Sequence, residues 1–195
     1  MYKQPLPFFS PDESATSGGV FSASPISTSP TPDQSASADH LQSLLRELWA
    51  EDNWLDYPLR GSLNLDVQVF DTDCFGVMWH GAYTKWLEMG RVRLLEAYGV
   101  KLSRPDEPEG YVYPVAEQRF VFKRPARYGD TLLLLSGLRL AGHKLFFRQC
   151  FYNVQSGKST LESETLNLVV DMQWRLQRRL PKEIIEKLAV YGTST

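Results

Sequence analysis

From residue 111 onward the chain changes period. YVYPVAEQRFVF, TLLLLSGLRL, KLFFRQCFYNV and STLESETLNLVVDMQW follow one another as four extended stretches rich in aromatic and aliphatic residues. Short glycine-containing connections, AGHK and QSGK, join the later ones as antiparallel hairpins require. One long helical pattern stands before them, HGAYTKWLEMGRVRLLEAYG. In it Tyr83, Leu87, Gly90, Leu94 and Tyr98 recur at three and four, and Gly99 supplies a stop. A single strand, LDVQVFD, precedes the helix, with Leu65, Val67 and Val69 alternating. One strand, one helix and then four strands predict an α+β fold: an antiparallel sheet of about five strands with one long central helix on a face. A doubly wound parallel sheet would need a helix between successive strands.

Two details sharpen that expectation. Gly90 lies mid-helix, where glycine costs about 1 kcal/mol relative to alanine, so the helix is expected to approach the sheet closely there. In the last strand, Leu166, Leu168, Val170, Met172 and Trp174 fall on one face, with Thr165, Asn167, Asp171 and Gln173 on the other.

The rest of the chain divides by composition. Residues 1–39 hold nine Ser and six of the twelve Pro. Such a segment buries too little to offset its ordering entropy, so disorder is expected, with Phe8, Phe9 and Phe21 as weak docking points. Residues 40–60 read as a short amphipathic helix and linker. Asp39 is a plausible N-cap, and Leu41, Leu44, Leu45, Leu48 and Trp49 fall at helical spacing. Residues 61–195 form the main domain, closed by a short helix, PKEIIEKL, that starts at Pro181.

Charge and cysteine content exclude several classes. A net charge of −2 leaves no electrostatic footprint for nucleic acid. No apolar run approaches the ~18–20 residues of a membrane span. The N-terminus lacks the pattern of a signal peptide, and a segment with no Arg, one Lys and four acids is unlike a transit peptide. Cys74 and Cys150 read as reduced thiols of a cytoplasmic protein. Three histidines, none at ligand spacing, argue against a zinc site.

The chemistry concentrates in FDTDCFGVMWHGAY, residues 70–83. Asp73 precedes a glycine-containing turn that leads into the helix starting near His80. A carboxylate can attack a carbonyl bond at its carbon, or activate water to do so. The oxyanion that develops needs donors already in place, and a helix N-terminus offers unpaired N–H groups with partial positive charge. Asp73 and the N–H groups near His80 could face one another across such a bond. Asp71 reads as a structural acid of the same turn. Cys74, although close to a helix start, has no dedicated base beside it.

DTDCFGVMWHGAYTKWLEMGR resembles the signature of the 4-hydroxybenzoyl-CoA thioesterase family, of hotdog fold, through Asp71, Thr72, Asp73, Gly76, Val77, Trp79, His80, Tyr83, Glu88 and Arg91. The resemblance spans residues 64–175 and leaves the first 60 residues unexplained. It implies an acyl-CoA thioesterase with Asp73 as nucleophile or general base and the backbone N–H of His80 as oxyanion donor. Glu88 is the second catalytic candidate, because an acid on this helix serves in related enzymes. Taken alone, Glu88 reads as an ion-paired surface acid between Lys85 and Arg91. Gly76, Val77, Trp79 and Tyr83 are expected to line the substrate site, although Tyr83 could equally pack against the sheet. Lys123, Arg124 and Arg127, in FKRPARYGD, could hold the phosphates of coenzyme A.

No metal or other cofactor is expected, since coenzyme A is part of the substrate. The acyl donor is expected to be acyl-CoA or an acyl-carrier-protein thioester. A homodimer or homotetramer is implied, because hotdog domains pair sheets edge to edge and complete each other's sites. Met78 and Cys74–Phe75 depart from the family pattern and bear on the acyl pocket rather than on the proposed base. Two other readings stand beside hydrolysis: hydration or dehydration of an acyl thioester, and a non-catalytic acyl-thioester binding module.

Overall fold

The computed structural model describes residues 8–9, 32–103, 107 and 110–192. Its centre is helix α2 (His80–Ala97) laid across one face of a sheet. The sheet contains β1 (Phe8–Phe9), β2 (Leu59–Asp66), β4 (Val115–Phe122), β5 (Thr131–Ala141), β6 (Lys144–Asn153) and β7 (Ser159–Leu168), in the order β1-β2-β5-β6-β7-β4. The five longer strands are all antiparallel, and β1 adds two residues in parallel beside Ser62 and Leu63 of β2. A separate two-stranded ladder joins β3 (Tyr111–Val112) to β8 (Val170–Asp171).

Helix α2 divides its core into two apolar clusters. Toward its N-terminus, Met78, Ala82, Tyr83 and Leu87 pack with Leu63, Leu65, Leu132, Leu134, Phe151 and Leu161. Toward its C-terminus, Leu94, Leu95 and Tyr98 pack with Leu59, Leu138, Leu145 and Phe147. Helix α3 (Lys182–Gly192) closes that end with Ile184 and Leu188. Between the clusters lies a polar belt. Gln149, fully buried, donates to the Leu87 carbonyl at 3.0 Å and to Ser136 Oγ at 2.9 Å, and accepts from Arg91 at 3.1 Å. Gly90 lies over this belt. A Cβ there would come within 2.7 Å of Leu134 Cδ2, 2.8 Å of Gln149 Nε2 and 2.9 Å of Ser136 Oγ. The close approach expected of Gly90 is therefore present.

The second face of the sheet is covered by helix α1 (Pro32–Trp49). Leu44, Leu45, Leu48 and Trp49 seal Leu133, Leu135, Cys150 and Tyr152, with Trp54 buried among them. Burial under this helix pushes the Cys150 thiol up to about 12.

Several boundaries differ from the sequence reading. Helix α1 begins at Pro32, so Asp39 lies inside it rather than capping it. Proline suits a first turn, where its missing N–H has no partner to lose. Phe8 and Phe9 form a strand within the stretch expected to be disordered, whereas Phe21 and the rest of residues 1–31 lie outside the described residues. Strand β2 starts at Leu59, inside the expected linker.

The last strand also ends early and turns over. Asp171 Oδ1 accepts from the N–H groups of Gln173 and Arg175, which makes a turn in which Trp174 takes φ 60° and is exposed. Thr165 and Asn167 face the helix side and are buried, while Leu166 and Leu168 are half-buried on the other side. The polar belt under Gly90 and Arg91 explains why the polar face turns inward at Thr165, because Arg91 donates to Thr165 Oγ1.

Candidate active site

Residues 71–79 fold back on themselves at the N-terminus of α2. Trp79 N–H donates to the Asp71 carbonyl at 3.0 Å, Thr72 bridges Met78, and Asp73 N–H donates to the Val77 carbonyl at 2.9 Å. Asp71, 2% exposed, is the anchor: its carboxylate accepts from Gln68 N–H at 3.1 Å. This buried acid has the structural role expected of it. Gly76, at φ 70°, supplies the left-handed residue of the tip.

Asp73 sits at that tip and is exposed. Its Oδ1 accepts from Phe75 N–H at 2.8 Å and Val77 N–H at 3.4 Å. Oδ2 has no hydrogen-bond partner among the described residues. The turn thus fixes the carboxylate through one oxygen and leaves the other open. Two residues back along this ladder, about 7 Å at strand spacing, helix α2 begins. Trp79, its N-cap, gives no side-chain cap. Ala82 and Tyr83 N–H groups both donate to the Trp79 carbonyl, whereas those of His80 and Gly81 have no acceptor among the described residues. Open carboxylate and open N–H groups lie at one end of the molecule. The Trp79 indole lies against Gly81 and edge-on to the His80 ring.

The remaining sequence candidates separate. Val77 is half-buried and bridges Arg127, so Arg127 lies beside the Asp73 turn, and its guanidinium makes no ion pair among the described residues. Lys123 is engaged, pairing with Glu162 at 3.3 Å. Arg124 donates to the Ser159 carbonyl at 3.2 Å. Tyr83 is in the core at 2% exposure, edge-on to Phe151 and Phe122, and burial raises its hydroxyl pKa. Glu88 pairs with buried Arg91, as the spacing allows, but not with Lys85. Lys85 instead lies over the rings of Phe70 and Trp86, at 5.5 and 5.2 Å. Burial lowers the Arg91 pKa and the Glu88 charge opposes that shift. No group of three or more potential metal ligands occurs among the described residues.

Sequence reasoning missed two features. Phe70, Phe122 and Tyr128 join Phe75 and Trp79 as exposed apolar side chains at this end. Their signal was position: each lies within or directly beside FDTDCFG or FKRPARYGD. The polar belt of Arg91, Gln149, Ser136 and Thr165 joins four elements, and no local pattern announces it.

A single helix gripped by an antiparallel sheet, with an acidic turn at the helix N-terminus, defines the hotdog class. The family model described as the thioesterase-like superfamily matches residues 67–188. The chain belongs to that superfamily, and it is a thioester hydrolase. It is 26% identical over 110 residues to Bacillus subtilis YneP, provisionally named an acyl-CoA thioesterase, spanning 56% of this chain and 78% of YneP. It is 24% identical over 128 residues to the Arabidopsis thaliana chloroplastic acyl-acyl carrier protein thioesterase ATL3, spanning 64% of this chain and 65% of that one. Among solved structures, the Thermus thermophilus protein TT1821 is similar at 30% identity and TM-score 0.59, over 67% of this chain and 98% of that one. The 4-hydroxybenzoyl-CoA thioesterase variant solved with its substrate shares the fold at 15% identity and TM-score 0.57, over 66% and 98%. No helix among the described residues is long and apolar enough to cross a membrane.

Proposed function

We propose that the chain hydrolyses acyl-CoA thioesters to a carboxylic acid and free coenzyme A, with Asp73 as the reacting carboxylate. The observation that carries this reading is the Asp73 turn: one carboxylate oxygen is held by Phe75 and Val77 N–H groups and the other is open, at the uncapped end of α2. As general base, Asp73 takes a proton from water while the oxygen attacks the thioester carbon. The carbonyl π pair moves onto oxygen, where the N–H groups of His80 and its neighbour stabilise it. The C–S bond then breaks, and the departing thiolate takes the proton. As nucleophile, Asp73 would instead form an anhydride that water cleaves. Both routes need only carboxylate, backbone donors and water, so no cofactor enters the scheme.

Arg127 is the cation best disposed for the phosphates of coenzyme A, with Lys123 and Arg124 recruited by exchanging their present partners. Trp79, Val77 and Gly76 border the acyl group. Glu88 is held by Arg91 and remains the alternative acid. Exposure of Asp73 and of the surrounding aromatic side chains favours a homo-oligomer whose second copy covers the site, as a dimer or tetramer. A cytoplasmic location goes with two free thiols. The test is thiol release from aliphatic and aromatic acyl-CoAs and from an acyl-carrier-protein thioester. Turnover with release of the free acid supports hydrolysis. A hydrated acyl-CoA product, or saturable binding without turnover, would overturn it.

A further inference from the structure

We propose that the outer face of the sheet holds a binding site for a monocarboxylate with an apolar body, in which Arg139 takes the carboxylate and Phe146 and Leu166 carry the chain. The hydrolysis reading uses no residue of this surface. Arg139 alternates with Leu138, which packs in the core with α2, so it shares the face of Leu133 and Leu135 that α1 covers. It also lies eight residues along β5 from Thr131, about 27 Å at strand spacing. The Asp73 turn is at the Thr131 end, where Val77 bridges Arg127.

Helix α1 covers only part of this face. It packs on Leu135 and Cys150, and the segment after it brings Trp54 and Tyr57 onto β5. They lie against Gly137, where a Cβ would come within 2.8 Å of Tyr57 and 3.1 Å of Trp54. Beside Tyr57 the face opens into a groove of about 370 Å³, within the ~300–1,000 Å³ of small-ligand sites. The ladders set one row of side chains straight across its floor: Arg139 on β5, Phe146 on β6, Leu166 on β7 and Glu117 on β4. Phe146 and Leu166 are half-buried. From Arg139 to Leu166 is two strand spacings, about 10 Å, a floor on which an acyl chain can lie.

The charges select the ligand. In the neighbouring row, Arg148, Glu164 and Arg119 follow one another on β6, β7 and β4. Arg148 pairs with Glu164 at 3.4 Å. Arg119 and Glu117, two residues apart, carry opposite charges on the same side of β4. Arg139 is left over, with no carboxylate partner among the described residues. Its guanidinium stacks instead on Phe146, 4.4 Å from the ring centroid, with the Tyr57 ring at 5.9 Å. The rings orient the guanidinium and leave its N–H groups to donate, an arrangement that suits the two oxygens of a carboxylate. One uncompensated cation calls for one negative charge, and a polyphosphate would meet Glu117 and Glu164 as like charges. An acid of this class is also what hydrolysis of an acyl thioester releases, but the test below does not depend on turnover.

The probe is decanoate carrying a photoreactive diazirine at the end of its chain, cross-linked to the full chain and mapped by peptide mass spectrometry. Label is expected on the β7 and β4 segments that hold Leu166 and Glu117. It should saturate, and decanoate should displace it. Decyltrimethylammonium has the wrong charge and butyrate too short a chain, so neither should displace it. Titration calorimetry with decanoate should show Arg139→Gln weakening binding about tenfold, Leu166→Asp weakening it at least as much, and Glu117→Gln binding no more weakly than wild type. Arg139→Gln reports even if Leu166→Asp fails to fold, and it should keep the wild-type kcat/KM for acyl-CoA. Label confined to the Asp73 turn, equal displacement by decyltrimethylammonium, or unchanged affinity in Arg139→Gln overturns the site. A chain that takes label at Leu166 but hydrolyses no thioester keeps this site and loses the thioesterase reading. Hydrolysis without that label does the reverse.

Discussion

Gly90→Ala is the substitution for which propensity and packing give opposite signs. Mid-helix, alanine is favoured over glycine by about 1 kcal/mol, so on an exposed helix the change would stabilise. Here the added Cβ meets three side-chain atoms between 2.7 and 2.9 Å, and two of their residues, Leu134 and Gln149, are fully buried. Each of those atoms belongs to a movable side chain, but Gln149 Nε2 can move only by lengthening its bonds to the Leu87 carbonyl and Ser136 Oγ. Overpacking of this kind costs about 1–3 kcal/mol, and weakening two buried hydrogen bonds adds about 0.5–1.5 kcal/mol each. After the propensity gain, the net is a destabilisation of about 1–5 kcal/mol. Urea unfolding followed by circular dichroism should show a lower midpoint with an unchanged slope. A midpoint equal to or above wild type would refute the idea that helix and sheet are in hard contact at this residue.

Two further outcomes follow from named residues. Arg127→Ala should raise KM for acyl-CoA about fivefold, the worth of roughly 1 kcal/mol, with little change for an acyl-pantetheine substrate that lacks the nucleotide phosphates. An equal effect on both substrates would remove Arg127 from the phosphate site. Cys150 should make stability fall at alkaline pH. Its thiol, normally near 9.0, is pushed up to about 12 by burial, so above pH 9 the unfolded chain loses a proton that the folded one keeps. The stabilising contribution is complete below pH 9 and declines toward pH 12 by about 1.4 kcal/mol per pH unit. Cys150→Ser, titrated by urea unfolding between pH 8 and 10.5, should show a shallower decline, and an unchanged slope would contradict this.

Much of this architecture was legible in the chain because it is written in local periods. The spacing of Tyr83, Leu87, Gly90 and Leu94 marks the buried face of α2, and the hairpins at AGHK and QSGK join β5, β6 and β7 in succession. The acidic turn was readable for the same reason, since Asp71, Asp73, Gly76 and the helix start lie within ten residues. What escaped was non-local. The inward face of β7 is not legible locally, because Leu166 and Leu168 look like core, whereas Arg91, distant in sequence, places Thr165 inward. The end of that strand is masked because an aspartate turn at Asp171 resembles continued alternation. The start of α1 is not legible because its first turns are serine- and alanine-rich, and apolar spacing appears only from Leu41. Tyr83 fitted both a pocket and a core position by spacing, and only the rings of Phe122 and Phe151 around it separate the two.

The central claim is that the Asp73 carboxylate carries out thioester hydrolysis, and the most direct measurement is kcat/KM for acyl-CoA in wild type and Asp73→Asn. Asparagine keeps the shape and can still accept from Phe75 N–H, so the turn and the melting temperature should hold, while the anionic base is lost. Removal of a general base predicts a fall of about a hundredfold to ten-thousandfold. Equal rates in two equally folded proteins would contradict the account and move the reacting carboxylate to Glu88.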